Sequence, residues 1–539
     1  MTLLRIALKQ QIVGLIALTV GGVLGGVLNA LAFVQIAGTT PAEREAFAQQ
    51  MTVLGAQLSY MLPVPVRIDT LAGYLEWRLF GAMVLVFGIW AAISASGSGR
   101  GDEERGLVEQ WLAAGVGRAR YLIARVAVFA AVVTVVIGTM QLAILLSAGG
   151  EPLSAGAMLA MGVNLLATTL CCYGIALVIA QLVTTRRGAG GIAAGLLVAL
   201  FLLNGAGRTA DIGPVRWLSP FYLFERSRPL TSNGALDAVG IAALLGAAIV
   251  LLAVGVVTFA RRDLGGTALP GIARESRATR SPSRDRLLRL PVLGPLRQQR
   301  VWVASWLVGF VVLSAALISI TRTIVDSLTS SAVPLLRAYF ERAGLSLYDS
   351  FVGVIWLSTA TLLLSIYAIA QVASWSADDA EGRLATILST PVSHGRVIVE
   401  RLATLLVAVA LIAAASSLAV YVVAAGQGIR LDGGRVALAA ALLLAIPFAF
   451  GAIGQLVSAS RPRIAVVALS AVAVFSYFVQ QFVPLFGWPE WVANLSLYNL
   501  YGMPMSGEIR WGGVVGLVGI GVVATALSLA ALRRRDVGA

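Results

Sequence analysis

A polar segment occurs twice in the chain, and each copy lies between two long apolar runs. The first polar segment covers residues 104–125 and the second covers residues 380–401. At a constant offset of 276 residues, Gly106 in the first copy corresponds to Gly382 in the second. Two copies of one pattern in a single polypeptide predict two related structural units. We therefore expect each unit to carry one polar segment at an equivalent position.

The ends of the two halves repeat as well. Arg125 and Arg401 close the two polar segments at the same offset of 276 residues. Residues 261–265 read Arg-Arg-Asp-Leu-Gly, and residues 534–538 read Arg-Arg-Asp-Val-Gly. The sequence therefore predicts a first unit at 1–265, an Arg- and Pro-rich linker at 266–300 and a second unit at 301–539.

The composition identifies the environment in which the chain folds. Apolar residues make up 58% of the 539 residues and charged residues only 12%, with a mean hydropathy of +0.87. A soluble domain carries roughly a quarter charged residues, so this is the composition of a membrane protein. The formal net charge is +14, but the basic residues flank apolar runs instead of forming one basic domain. Binding to nucleic acid is therefore not expected.

The apolar runs are long enough to cross a bilayer as helices, which requires about 20 residues. Six runs precede the linker and six follow it, so we predict an all-α integral membrane protein with two parallel six-helix repeats. Extracytoplasmic interfacial helices are expected at 38–75 and 324–351. The predicted spans are 12–37, 76–97, 121–148, 155–184, 189–207, 236–260, 301–323, 352–375, 398–425, 435–459, 464–485 and 511–532.

The distribution of arginine predicts the orientation. Basic residues concentrate at both termini, in the linker and in the polar segments, and the positive-inside rule assigns these regions to the cytoplasm. Residues 8–11 read Leu-Lys-Gln-Gln and residues 296–299 read Leu-Arg-Gln-Gln, so the first apolar run is expected to be a retained helix and not a cleaved signal peptide. The predicted location is the bacterial cytoplasmic membrane.

Each polar segment has the pattern of a short amphipathic helix. Glycine precedes each helix, at Gly106 and Gly382, and Gly115 and Pro391 are expected to end them. The acidic residues around 102–104 and 378–381 are expected to lie near the N-terminal ends of these helices, where the helix dipole stabilises negative charge. The residues expected on one apolar face are Leu107, Val108, Trp111 and Leu112 in the first copy, and Leu384, Ile387 and Leu388 in the second. Such a helix is interpreted as a docking element for a partner; the alternative is a helix lying on lipid.

The source of energy is constrained by what the sequence lacks. None of the predicted spans holds an ionisable residue well inside its apolar run, which ion-coupled carriers usually need. The only lysine is Lys9, so a phosphate-binding P-loop is not expected. His394 is the only histidine, which argues against a histidine-based metal site or catalytic triad. We therefore predict no catalytic residue, metal or cofactor in this chain, with ATP and magnesium bound by a separate ATPase.

The second polar segment resembles the intracellular segment of type-2 ABC exporter permeases. The resemblance rests on Glu381-Gly382 through Leu388 and on Thr390-Pro391-Val392. The first copy is more divergent, because Glu104-Arg105-Gly106 contains one additional residue and Gly115 replaces the proline. The fused form with two six-helix units is similar to permeases of tetronasin and polyketide antibiotic exporters.

The resemblance implies a permease subunit that is not itself an enzyme and that exports a hydrophobic or amphipathic, drug-like compound. It implies a coupling helix between the second and third span of each unit, docked on two copies of an ABC ATPase subunit. The implied coupling residues are Glu104, Gly106, Leu107, Trp111, Leu112, Arg118, Glu381, Gly382, Leu384, Leu388, Pro391 and His394.

The resemblance also implies a central substrate cavity lined by the second and fifth spans of each unit. Aromatic walls with few polar groups suit a large apolar substrate. The implied lining residues are Phe87, Trp90, Phe201, Asn204, Ile366, Tyr367, Phe475, Tyr477, Phe478 and Gln481.

Two other functions are compatible with parts of the pattern. An ion-coupled secondary transporter of the major facilitator type also has six plus six helices, and residues 99–102 imitate that family's loop between its second and third helices. The second polar segment lacks this imitation. An intramembrane enzyme is the third possibility, which the single histidine disfavours.

Overall fold

A computed structural model describes residues 2–57, 63–209, 213–268, 292–330, 348, 352–380 and 382–534. The chain divides into two compact units, Met1–Thr279 and Arg280–Ala539. Residues 269–291, which form most of the predicted linker, lie outside the described residues. The predicted boundaries at 265 and 300 therefore stay predictions.

The first unit is built of helices joined by short connections. Two π-helical turns, Leu75–Phe80 and Gly97–Gly101, lie within its third helix. The helices are α1 (Thr2–Ala37), α2 (Pro41–Gln57), α3 (Leu71–Glu104), α4 (Leu107–Ala113), α5 (Arg118–Leu146), α6 (Ala155–Leu182), α7 (Arg186–Thr209), a 3-10 turn (Gly213–Leu218), α8 (Pro220–Arg226) and α9 (Ala238–Arg261).

The described part of the second unit also alternates long helices with short ones. A π-helical turn, Gly353–Leu357, leads into its second long helix, and a two-stranded antiparallel hairpin pairs Gly502 with Ile509. The elements are α10 (Leu293–Gln298), α11 (Arg300–Ser330), α12 (Ser358–Ala380), α13 (Arg383–Leu388), α14 (His394–Gly426), α15 (Gly433–Ser460), α16 (Pro462–Phe486), α17 (Glu490–Ala493), β1 (Gly502–Met503), β2 (Glu508–Ile509) and α18 (Trp511–Arg534).

Eleven helices among the described residues are long and apolar enough to cross a membrane. Another, α16, is apolar over Ile464–Gln480. The predicted class of an all-α, multi-pass membrane protein is therefore confirmed. The ends differ most in α3, which was predicted to stop near residue 97 and continues to Glu104. Its polar last turns stay helical because ion pairs inside the unit bind their charged side chains.

Several of the long helices begin directly after a residue whose side chain caps the helix. The Ser154 side chain accepts a hydrogen bond from Ala157 N at the start of α6, and Asp237 accepts one from Gly240 N at the start of α9. Asp432 caps the start of α15 in the same way. Such side chains satisfy N–H groups that have no partner within the helix.

The core of the first unit lies between α3, α5 and α6, and it is rich in stacked rings. The rings of Phe129 and Tyr173 stack with centroids 4.3 Å apart, and Trp90 lies 5.1 Å from Phe129. The second unit has a comparable core between α12, α15 and α18. There Tyr367 is buried and packs edge-on against Trp306 at 5.4 Å.

Candidate functional site

Each polar segment forms a short helix that begins directly after a glycine in the left-handed conformation. The φ angle is +68° at Gly106, before α4, and +76° at Gly382, before α13. Only glycine adopts this conformation without steric cost. Gly115, with φ +82°, ends α4, and its N–H donates to the Leu112 carbonyl. The chain therefore turns sharply on both sides of each short helix.

The apolar face of each short helix packs against its own unit. Val108 of α4 and Leu384 of α13 are equivalent in the repeat, and both are buried. Trp111 and Leu112 are half-buried against the core of the first unit. Leu107 and Leu388 are also half-buried, and Leu388 packs with Leu384.

The opposite face of each helix is exposed. On α4 it carries Glu109, Gln110 and Ala113. On α13 it carries Thr386 and Ile387, whose side chain is 42% exposed. A partner that approaches α4 meets the polar Glu109 and Gln110, since Trp111 and Leu112 pack against the unit.

Asp102 lies in the last turn of α3 and is fully buried. Its carboxylate accepts a hydrogen bond from Tyr121 Oη at 2.7 Å and forms ion pairs with Arg125 at 3.0 Å and Arg105 at 2.5 Å. The expectation that the acidic residues lie at the N-terminal end of the short helix is wrong for Asp102. Ion pairs with Arg105 and Arg125 hold this carboxylate at the C-terminal end of α3, where the helix dipole alone would disfavour a negative charge.

Glu103 is buried in a second cluster at the same end of α3. Arg100 Nη1 donates to its carboxylate at 2.9 Å, and Arg262 Nη2 donates at 2.6 Å. The backbone N–H of Gly265 also donates to this carboxylate, at 2.6 Å. Glu103 therefore joins α3 to the segment that follows α9.

Glu104 and Arg118 flank α4 and bind main-chain atoms. The Glu104 carboxylate accepts a hydrogen bond from the backbone N–H of Arg186 at 2.6 Å, at the start of α7. Arg118 Nη1 donates to the Arg262 carbonyl at 2.6 Å. Both predicted coupling residues thus fix the ends of the first polar segment to other helices of the unit.

The second unit also holds a buried ion pair at the corresponding place. The Asp379 carboxylate, at the end of α12, lies 2.9 Å from Arg401 and accepts a hydrogen bond from Ser458 Oγ at 2.9 Å. Asp378 pairs with the exposed Arg383. Glu381 lies outside the described residues.

The remaining predicted residues of the second segment lie at its end. Pro391 is exposed in the turn after α13. His394 is the first residue of α14 and is half-buried. Ser393 caps this helix by accepting a hydrogen bond from Arg396 N.

Reasoning from sequence assigned no role to the arginines that hold the buried carboxylates. Arg125 and Arg401 were aligned by the repeat, and both bind an acidic residue at the end of the second long helix. The signal was their matched position just inside an apolar run, where an unpaired charge is costly.

The duplicated glutamines at the start of each unit form a second matched contact. Gln11 exchanges hydrogen bonds with Ser94 Oγ of α3, at 2.6 and 2.9 Å. Gln299 accepts a hydrogen bond from Gln371 of α12 at 2.7 Å. In both units a repeated glutamine, within α1 or directly before α11, therefore connects the amino-terminal part of the first long helix to the second long helix.

The structure distributes the predicted cavity residues over different environments. Phe87, Asn204 and Tyr367 are buried within their own units, and Asn204 donates to Glu225 at 2.8 Å. The half-buried residues are Trp90, Phe201, Tyr477 and Phe478, the exposed ones are Ile366 and Phe475, and the side chain of Gln481 is outside the described part. Within the described residues no group of three or more potential metal ligands occurs.

The chain matches known transporter families in each of its halves. A family model described as ABC-2 family transporter protein matches residues 8–264. A model described as Multidrug efflux system permease Rv1217c, C-terminal domain, matches residues 288–533. No curated protein matches the chain. The two matches cover both six-helix regions, and they confirm the resemblance to type-2 ABC exporter permeases, so the protein belongs to the ABC-2 type transporter permeases.

Proposed function

We propose that this permease is the membrane-spanning part of an ATP-driven exporter, worked by a separate pair of ATPase subunits that bind ATP and magnesium. It moves a hydrophobic or amphipathic compound, of the kind found among antibiotics, out of the cell by alternating access. The match of residues 288–533 to a multidrug efflux permease domain supports this direction and substrate class.

One observation carries the proposal: the polar segment of each unit forms a short helix, α4 or α13, with one face buried against the unit and the opposite face exposed. Val108 and Leu384 are the buried apolar anchors of the two helices. The chain that enters each helix is held by a buried carboxylate–arginine pair, Asp102–Arg125 or Asp379–Arg401. Movement of the exposed face is therefore transmitted to the long helices, because the short helix is anchored to them and is not carried by a flexible loop.

The buried ion pairs make the bases of the two helices stiff. Removing one partner of a buried pair leaves an uncompensated charge, at a cost of about 3–5 kcal/mol. The pairs fix the two long helices that flank each short helix to one another, α3 to α5 and α12 to α14. We infer that each short helix moves together with α3 and α5, or with α12 and α14, when the ATPase closes.

The substrate class is supported by a row of aromatic side chains on α16. The ring centroids of Phe478, Phe482 and Phe486 are spaced by 5.9 and 6.0 Å, and Trp488 continues the row at 5.4 Å. Such rows accept flat or extended apolar molecules through stacking and contact area. Phe482 is buried, whereas Phe478 and Phe486 are half-buried, and we propose that these two side chains contact the exported compound.

The proposal is tested in inside-out vesicles that contain the chain together with its ATPase and are incubated with a lipophilic fluorescent dye. ATP is expected to drive dye accumulation, and Glu109→Arg on the exposed face of α4 is expected to reduce both accumulation and co-purification of the ATPase. Glu45→Arg, on an exposed position of α2, is the matched control and should change neither.

The competing carrier function gives a different result in the same system. Purified alone in liposomes, the permease should accumulate nothing under a proton or sodium gradient. Gradient-driven accumulation without the ATPase would refute the proposed function.

A further inference from the structure

Residues 262–268 follow α9 directly and lie against the base of the first polar segment; we call them the strap. The repeated Arg-Arg-Asp-Leu-Gly motif covers residues 261–265, and the strap starts at its second arginine. The predicted membrane spans and short helices do not explain why this motif is repeated. Arg262 is buried, whereas the preceding Arg261 is exposed. The two arginines of the motif therefore have different environments and different roles.

The strap binds the chain that enters α4. Arg262 Nη1 and Nη2 donate to the two carboxylate oxygens of Glu103, at 2.9 and 2.6 Å. Arg100 Nη2 donates to the Gly266 carbonyl at 2.9 Å. The Gly265 N–H also donates to Glu103, so side chains and backbone of the strap both take part.

The strap binds the chain that leaves α4 as well. Arg118, the first residue of α5, donates from Nη1 to the Arg262 carbonyl at 2.6 Å. The same strap residue thus contacts Glu103 before the short helix and Arg118 after it. The loop that carries α4 is closed across its base by one arginine.

A third helix fixes the strap itself. Arg262 Nε donates to Gln181 Oε1 at 2.8 Å, and the Ala268 N–H donates to the Gln181 carbonyl at 2.9 Å. The Arg262 and Glu103 side chains are 3% and 4% exposed, so water competes little for these hydrogen bonds. The planar guanidinium binds in several directions at once, which lysine cannot do.

We propose that the strap is a clamp that sets the orientation of α4 relative to α9, with Arg262 as its positioning residue. The consequence for transport rests on the proposed function, because the orientation of α4 affects transport only if an ATPase binds α4 and moves it. The clamp itself is a property of the first unit alone. The equivalent second-unit residues 535–538 lie outside the described part, so the proposal concerns the first unit.

The clamp is tested by electron paramagnetic resonance on the purified full chain in lipid nanodiscs, without any ATPase. Spin labels are placed by Ala113→Cys on the exposed side of α4 and Val257→Cys on the exposed side of α9. Both native cysteines are buried, which protects them from labelling. Arg262→Gln is expected to broaden the distance distribution between the labels. Arg261→Gln removes the same charge from the neighbouring exposed position and should leave the distribution unchanged.

Arg118→Gln provides the second variant, since Arg262→Gln removes more contacts and has the greater risk of misfolding. It deletes only the contact on the far side of α4 and should also broaden the distribution. An unchanged distribution in a folded Arg262→Gln protein, or in Arg118→Gln if the former does not fold, overturns the clamp.

The role in transport is measured with the ATPase present, as dye exported per ATP hydrolysed. A misplaced coupling element should lower this ratio on the order of tenfold or more in both clamp variants, with ATPase binding retained and Arg261→Gln at the wild-type ratio. A broadened distribution with an unchanged ratio would refute the positioning role and leave the proposed function standing. If the wild-type permease does not bind the ATPase, the proposed function is refuted instead.

Discussion

The guanidinium of Arg401 lies 2.9 Å from the carboxylate of Asp379, which is 1% exposed. The pair joins the last turn of α12 to the second turn of α14, on either side of α13. Arg125 and Asp102 make the same connection around α4. A buried ion pair at this place is therefore a shared feature of the two units.

Breaking the second-unit pair should destabilise the protein strongly. Arg401→Gln leaves the Asp379 carboxylate buried without its cation, and the expected loss is about 3–5 kcal/mol. The measurement is thermal unfolding of the detergent-solubilised protein, followed by export assays on the folded fraction. Arg383→Gln is the matched control, because its pair with Asp378 is exposed and worth less than about 1 kcal/mol. Equal shifts in the two variants would contradict the assignment.

The glycines that begin the short helices should tolerate alanine poorly. A Cβ at Gly106 or Gly382 would meet no atom within 4 Å, so the cost comes only from the left-handed backbone. That cost is roughly 1–2 kcal/mol per residue. We expect Gly106→Ala and Gly382→Ala to reduce export while the long helices still form, as measured by circular dichroism. Gly21→Ala in α1 also has open space but no positive φ, and it should be neutral or stabilising.

The two faces of α13 should respond to mutation in opposite ways. Leu384→Ala removes a buried anchor that packs with Ala459 and Leu532, and it should cost about 2–5 kcal/mol in stability. Thr386→Arg, on the exposed face, should leave the unfolding temperature unchanged and weaken binding of the ATPase. Unfolding curves and co-purification measure the two effects. Weak ATPase binding in both variants at unchanged stability would show that Leu384 is not an anchor.

Acid should loosen the start of α9. Arg226 donates hydrogen bonds to Asp237 at 2.6 and 3.1 Å and thereby holds the pKa of Asp237 below its ordinary value. Because the folded-state pKa is lowered, the stabilisation is complete above the unfolded pKa of about 3.9 and is lost as the pH falls through the folded pKa. Asp237→Asn and Arg226→Gln should both flatten the pH dependence of unfolding below about pH 4. A wild-type slope in both variants would contradict this source of pH dependence.

The sequence contains enough information for the long helices and the two short ones. Apolar runs of bilayer length and the repeat predict them directly, and glycine at 106 and 382 marks where the short helices begin. The end of α3 was not predictable in this way. Residues 97–101 read Gly-Ser-Gly-Arg-Gly, which usually ends a helix, yet here they form a π-helical turn.

The reason lies far along the chain. Glu103 and Arg100 are held by residues 262–266, more than 150 positions later, and no local pattern reveals such a pairing.

The environment of the predicted cavity residues was not predictable for another reason. Aromatic side chains line cavities and fill cores equally well, and Phe87 and Tyr367 turn out to be buried within their units.

The strap also determines where this polypeptide can be divided. Among the described residues, its last contact is the hydrogen bond from the Ala268 N–H to the Gln181 carbonyl. A gene split after codon 268 would leave α4 in the first product and α13 in the second. The first product would keep the described contacts between the strap and the chain on both sides of α4. A split after codon 261 would remove Arg262 from the amino-terminal product, and α4 in that product should then lose its contacts with the strap.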